Sequence, residues 1–189
     1  KVFASIGPSG KMLMMGEVTE DELFDAFKKQ AMALAEGGAD AIVVETMSEL
    51  AEVTTAVRAA KATGLTVVGC MTYDSGRDKT STMMGVTPKQ AADALTTAGA
   101  DMIGCNCGIG IENYIKVAGM LRAASNKPVW VKANAGLPEI EDGKIVYRMP
   151  PEEFGEKVKL LIDAGANIVG GCCGTSPEFI TAICRALKV

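Results

Sequence analysis

Histidine is absent from all 189 residues, and that absence removes whole classes of chemistry. No Ser–His or Cys–His nucleophile pair can form, and no zinc finger or HExxH-type site with imidazole ligands. No apolar run approaches the roughly 18 residues of a membrane span, and nothing resembles a signal peptide. Positive charge is in deficit: the net charge is −4, the sequence pI is about 5.0, and no basic stripe is present. Nucleic acid and membrane are therefore excluded as expected partners, and a soluble, cytoplasmic protein is expected. The six cysteines lack the spacing of a secreted disulfide framework, and a chain this long and rich in βα pattern does not need staples; a reducing compartment follows. Chemistry must come from Cys, Asp or Glu, Asn, Tyr, Lys or a metal.

What the chain does have is 48% apolar residues and 21 glycines, the composition of an α/β protein with many tight βα turns. Apolar strand segments fall at 2–6, 41–45, 66–71, 101–105, 129–133 and 167–170. Helical segments follow each of them, at about 20–36, 48–63, 87–98, 112–124, 152–163 and 177–187. Thr19-Glu20-Asp21-Glu22 forms a capping box, and Thr87-Pro88 caps a helix with proline at its first position. Three echoes, Gly37-Gly38-Ala39-Asp40, Ala98-Gly99-Ala100-Asp101 and Ala164-Gly165-Ala166-Asn167, each end a helix and start a strand. The polar loop 73–86 is a candidate active-site loop, and Glu141-Asp142-Gly143-Lys144 reads as a turn in a small hairpin. Near-continuously apolar strands suit a parallel sheet buried on both faces. Six βα units fit either a doubly wound sheet or part of a (β/α)8 barrel, which typically needs about 250 residues. The start in mid-strand without an initiator methionine favours a barrel lacking its first two units.

The chemistry concentrates in Gly170-Gly171-Cys172-Cys173-Gly174-Thr175. Adjacent residues of a strand point to opposite faces, so both thiols reach one site only if the backbone bends between them, which glycine permits. With Cys107 of Gly104-Cys105-Asn106-Cys107-Gly108 they read as a three-thiolate zinc site with its fourth position open, as catalytic zinc requires. Cys105 is the reserve ligand, since it shares a strand face with Cys107. Cys70, Cys105 and Cys184 otherwise read as structural. The competing readings are small buried hydrophobes, a strained vicinal disulfide, and a glycine loop that cradles phosphate ahead of a helix. Glu45, Cys107, Asn134, Cys172 and Cys173 all lie just past the C-terminal ends of strands, where both architectures build active sites.

Gly-x-Asn-Cys-Gly, then Asn134-Ala135-Gly136, then Gly-Gly-Cys-Cys-Gly-Thr-Ser-Pro resembles the zinc-dependent homocysteine S-methyltransferases, a family that includes the homocysteine-binding domain of cobalamin-dependent methionine synthase and betaine–homocysteine methyltransferase. Ser5-Ile6-Gly7-Pro8 and Glu45-Thr46 match the family pattern in the same order. The resemblance implies a (β/α)8 TIM barrel of which residues 1–189 form the C-terminal three-quarters, the third to eighth strands. It implies Zn2+ on Cys107, Cys172 and Cys173, with Asn134 able to take the fourth position when substrate is absent. Glu45 would hold the homocysteine amino group, with Ser5 and Asn134 as further substrate-binding positions. The family's Asp-Gly-rich first-strand motif is missing, and Ala133 stands where many relatives have proline.

The activity this implies is methyl transfer to the thiol of homocysteine, giving methionine. Betaine-using relatives enclose a quaternary ammonium with aromatic side chains. With one Trp, three Tyr and five Phe, little clustered at strand ends, this chain points instead to methylcobalamin, a methylcorrinoid donor on another domain or protein that could meet the loop 74–79. S-methylmethionine, betaine or another thiol acceptor are the alternatives within the family. A structural zinc module and a metal-free, phosphate-binding barrel are the alternatives outside it.

Overall fold

The computed structural model describes residues 1–189. In chain order the elements are β1 (Phe3–Ile6), α1 (Glu20–Glu36), β2 (Ala41–Met47), α2 (Leu50–Lys61), β3 (Thr66–Met71), α3 (Pro88–Thr97), β4 (Met102–Cys107), α4 (Ile111–Ala124), β5 (Val129–Ala133), β6 (Glu139–Glu141), β7 (Lys144–Val146), α5 (Pro151–Asp163), β8 (Ile168–Gly171) and α6 (Pro177–Leu187). Strands β6 and β7 form a separate antiparallel hairpin over the expected turn. The other six strands make one parallel sheet in sequence order, β1-β2-β3-β4-β5-β8.

Local sequence chemistry explains where these elements start and stop. The Thr19 hydroxyl accepts the Glu22 N–H while the Glu22 carboxylate accepts the Thr19 N–H, and Thr87 and Gln90 do the same for α3, satisfying N–H groups the helix leaves free. In the three echoes, Gly38, Gly99 and Gly165 take φ of 92, 92 and 109°, which a side chain would resist. The polar residue that closes each echo has its own task. Asp40, Asp101 and Asn167 accept the N–H groups of Val2, Val67 and Val129 at 2.7, 2.8 and 2.9 Å, and their own N–H groups return to the carbonyls of the same three residues. Each echo thus latches the start of one strand to the start of the preceding strand in the sheet.

Two apolar layers flank the sheet. The larger, of 37 buried residues, lies between the strands and helices. The smaller is built from strand residues only: Val43, Val68, Cys70 and Trp130, with Phe3, Met102 and Ile168 packed against them. Helices therefore cover one face, which excludes the doubly wound alternative. Phe3 on β1 stacks on Trp130 of β5 at 5.2 Å between ring centroids, although three strands separate them in the sheet. Only a strongly curled sheet brings them together. The fold is an α/β half-barrel of six parallel strands, with the strand order and helix placement of a TIM barrel. No helix is long and apolar enough to cross a membrane.

The first glycine of the Cys107 motif serves this packing. A Cβ on Gly104 would lie 2.0 Å from the Trp130 carbonyl oxygen, a backbone atom that cannot swing aside. Gly104→Ala should therefore destabilise the chain by about 2–3 kcal/mol, measured as a lower urea midpoint. An unchanged midpoint would refute the close approach of β4 and β5.

Candidate metal centre

The parallel register sets the level of the site. Cys107 pairs with Ala133, and Ala133 with Gly171, so the ends of β4, β5 and β8 finish side by side. At the first of these ends the backbone turns left-handed, with φ of 66° at Cys107 and 69° at Gly108. At the last, Cys172-Cys173-Gly174-Thr175 forms a turn closed by the Thr175 N–H on the Cys172 carbonyl at 3.2 Å. Gly174, at φ 79°, occupies the third position, where type II turns need positive φ. Of the three glycines around the paired cysteines only this one supplies the bend. Gly171 instead leaves the space that the Thr175 side chain fills, and Gly174 also leaves room for the Tyr147 ring.

These two backbone reversals bring the Sγ atoms of Cys107, Cys172 and Cys173 within 4.8 Å of one another, with Cys107 and Cys173 at 3.9 Å. Ligands about 2.3 Å from a tetrahedral ion lie about 3.8 Å apart, so the donor set and its spacing fit zinc. Cys107 and Cys172 are half-buried and Cys173 is exposed, which leaves one side of the cluster open. Cys105 does not belong to it. The reserve-ligand reading assumed that alternation carries through to Cys107, but the positive φ breaks it, and Cys105 is fully buried among the sheet–helix core residues. Cys70 is also buried, and Cys184 lies in α6, apart from the cluster.

The thiols do not titrate alike. The Cys172 thiol beside it, and to a smaller degree the Asn134 amide, stabilise the Cys107 thiolate by more than burial costs it, so Cys107 falls to about 7. Cys172, as donor to that thiolate and partly desolvated, is pushed up. Gathering three thiolates in one place requires a cation to offset their mutual repulsion.

Asn134 holds the cluster's two sides together. It is buried; its Nδ2 donates to the Gly108 carbonyl at 2.8 Å and faces Cys107 Sγ at 3.6 Å, while its Oδ1 accepts the Cys173 N–H at 3.0 Å. The oxygen that the family resemblance offers to the fourth position is thus engaged by the backbone in this arrangement.

Asn106, which the sequence reading passed over, links the cluster to Glu45. Fully buried, its Oδ1 accepts the Thr46 N–H and its Nδ2 donates to Thr46 Oγ1, both at 2.7 Å. Thr46 has φ 64°, a costly conformation for a β-branched residue, and the strand register slips between Val44 and Met47. Asn106 clamps that strained turn immediately after Glu45. Glu45 in turn accepts the Ser5 hydroxyl at 2.7 Å and pairs with Lys132 at 2.6 Å. Lys132 was hidden within an otherwise apolar strand. Tyr147, following the hairpin, lays its ring against Gly174, next to the paired cysteines; burial, and then the nearby Cys173, raise its hydroxyl's pKa.

The candidate loop 73–86 is fastened at several points: Ser75 bridges Ser81, the Asn113 amide donates to the Tyr73 and Lys79 carbonyls, and buried Thr82 donates to the Ser48 carbonyl. The phosphate-loop reading loses its hydroxyls. Thr175 Oγ1 donates to the Cys172 carbonyl at 2.7 Å, and Ser176 donates to Glu178, an acid in the first turn of α6 that disfavours an anion there.

Comparison with known proteins agrees with this geometry. The family profile described as "Homocysteine S-methyltransferase" matches residues 1–187. The chain is similar to the methionine synthases of Mycobacterium tuberculosis (33% identical over 194 residues) and Mycobacterium leprae (30% over 191 residues), in each case over 98% of this chain and 16% of that protein. Among solved structures, the apo form of the homocysteine methyltransferase MmuM from Escherichia coli matches with a TM-score of 0.76 at 21% identity, over 96% of this chain and 61% of that one. The chain thus spans about a sixth of the methionine synthases it matches.

In the metal-free chain, alkylation of Cys107 by iodoacetamide should rise with pH around a midpoint of about 7, below the ordinary thiol value of 9.0, because only the thiolate reacts. Cys172→Ala removes the stabilising donor and should move the midpoint up. Peptide mass spectrometry against pH reads both, and a wild-type midpoint near that ordinary value would reject the hydrogen-bonded thiolate.

Proposed function

The chain belongs to the homocysteine S-methyltransferase family, and from that premise we propose that residues 1–189 are the thiol-activating part of a zinc-dependent methyltransferase that converts homocysteine to methionine. The observation that carries this reading is the convergence of three cysteine thiols, from two strand ends 65 or more residues apart in sequence, on one partly open point. Cys107, Cys172 and Cys173 would hold the ion. Zinc supplies, when bound, deprotonation of a coordinated thiol near neutral pH, and three thiolate ligands keep that sulfur electron-rich.

The chain's own residues do the rest. Asn134 fixes the separation of Cys107 and Cys173, so the open side of the cluster faces one direction. Glu45, oriented by the Ser5 hydroxyl and by the clamped turn at Thr46, would bind the amino group of homocysteine. Tyr147, packed against Gly174 beside the cluster, would limit access of water, which otherwise competes as a hydrogen-bonding partner of the thiolate. Methyl transfer to a thiolate needs no general base, in keeping with a chain that lacks histidine.

We assign the donor as a methylcorrinoid carried by another domain or protein. The placement of the aromatics supports this. Trp130 is stacked inside the half-barrel, Tyr73 and Tyr114 are fully buried, and Tyr147 alone reaches the cluster, so no aromatic box for a quaternary ammonium is formed.

Elemental analysis of the full-length protein purified without added metal should find close to one zinc per chain in wild type and almost none in Cys107→Ser, with homocysteine methylation lost in the variant. A folded, reduced, zinc-free wild type would overturn the proposal. Zinc whose loss leaves methylation intact would favour a structural module.

A further inference from the structure

Lys132 is the one cation placed on the concave face of the sheet beside the proposed substrate site, and nothing derived above uses it. Its register partner on β8 is Gly170, where an added Cβ would touch the Lys132 stem at 3.5 Å. The stem therefore lies across the strand that leads into Cys172 two residues later. Its ammonium reaches Glu45 on β2, at 2.6 Å, with the two side chains 24% and 13% exposed. The pair thus bridges the interior of the half-barrel at the level of the cysteine cluster. Cys70, whose thiol is pushed up chiefly by burial, also feels Glu45, Lys132 and Cys172.

We propose that Lys132 is a specificity-determining residue that binds the α-carboxylate of the thiol substrate, making the site selective for a zwitterionic amino acid. The inference rests on the thiol-activation reading given above. Glu45 and Lys132 together carry no net charge. A substrate ammonium on Glu45 would leave Lys132 and the ammonium as two cations sharing one carboxylate, in a space too sheltered for water to screen them well. A carboxylate on the same substrate carbon completes an alternating ring: Lys132 ammonium, Glu45 carboxylate, substrate ammonium, substrate carboxylate. The zwitterion adds two favourable contacts and no net charge. An amine without the carboxylate adds an unbalanced positive charge, and a carboxylate without the amine an unbalanced negative one. The oxygen of Glu45 not facing Lys132 accepts only the Ser5 hydroxyl, so the substrate ammonium can be accommodated without breaking the ion pair.

The test uses the full-length protein with cobalt(II) in place of zinc and no methyl donor, following the thiolate-to-cobalt absorption band on titration with homocysteine, 3-aminopropanethiol and 4-sulfanylbutanoate. Wild type should bind homocysteine about tenfold or more tightly than 3-aminopropanethiol, the value of one charge-assisted contact. Lys132→Met should weaken homocysteine to the level of 3-aminopropanethiol while leaving the latter unchanged or tighter, and Lys132→Arg should restore the preference. Equal wild-type affinity for those two thiols overturns the role of Lys132, as does an unaltered preference in Lys132→Met, and both leave thiol activation standing. If none of the three thiols perturbs the wild-type spectrum, thiol activation fails and the Lys132 proposal fails with it. Equal wild-type affinity overturns the role even if Lys132→Met does not fold, and Lys132→Gln then replaces it as the variant that should lose the preference.

Discussion

Cys107, Ala133 and Gly171 share one level across three hydrogen-bonded parallel strands, and the site's geometry depends on that pairing. A strand's side chains alternate between faces, so a shift of one residue in β4 or β8 would carry one cysteine motif to the wrong face and away from the other. The latches at Asp40, Asp101 and Asn167 guard against such a slip, because each fixes a strand start to its neighbour through side chain and backbone together. Register error at the N-terminal ends would be transmitted unchanged to the C-terminal ends, where the chemistry lies. The echoes in the sequence and the convergence of the thiols are two ends of the same mechanical constraint.

Strain is placed where the strands finish. Thr46 and Cys107 are non-glycine residues with positive φ, each at or next to a residue proposed to act. Such conformations persist only when their surroundings impose them. Asn106 meets that requirement for Thr46 with both ends of its amide, and its own carbonyl is held by the Tyr114 and Thr72 hydroxyls at 2.6 and 3.1 Å. Asn134 meets it for Cys107 by capturing the next carbonyl. Two buried asparagines, each next to or opposite a cysteine, thus convert strained turns into fixed positions. Rigid placement of this kind is what orientation of a thiol and a methyl group demands.

The βα order was legible because its signals are local: capping boxes, glycines past helix ends, and apolar runs of strand length. The cysteine cluster was legible because two adjacent thiols among glycines have few structural uses. The residues that were missed share a physical reason. Parallel strands buried on both faces lose the alternation that tells inside from outside, so Lys132 stood in an apolar run with no indication of the face it occupies or of Glu45 three strands away. Asn106 read as a spacer within the cysteine motif, since its partner Thr46 lies 60 residues earlier. Cys105 was given the wrong face because the rule of alternate residues presumes regular strand geometry, and Cys107 departs from it. Tyr147 sits in an excursion whose path over Gly174 no local pattern encodes.

The two halves of the site pose opposite electrostatic problems, and the chain treats them differently. Glu45 is neutralised by a resident cation, so the half that would meet a zwitterion is balanced before anything binds. The thiols instead act on one another: the Cys172 thiol lowers the pKa of Cys107, and its own ionisation becomes harder in consequence. A cation held among the thiols would offset what makes Cys172 hard to ionise. Leaving them unbalanced while balancing Glu45 would separate the two proposed tasks, metal binding at the cysteines and amino-acid recognition at Glu45.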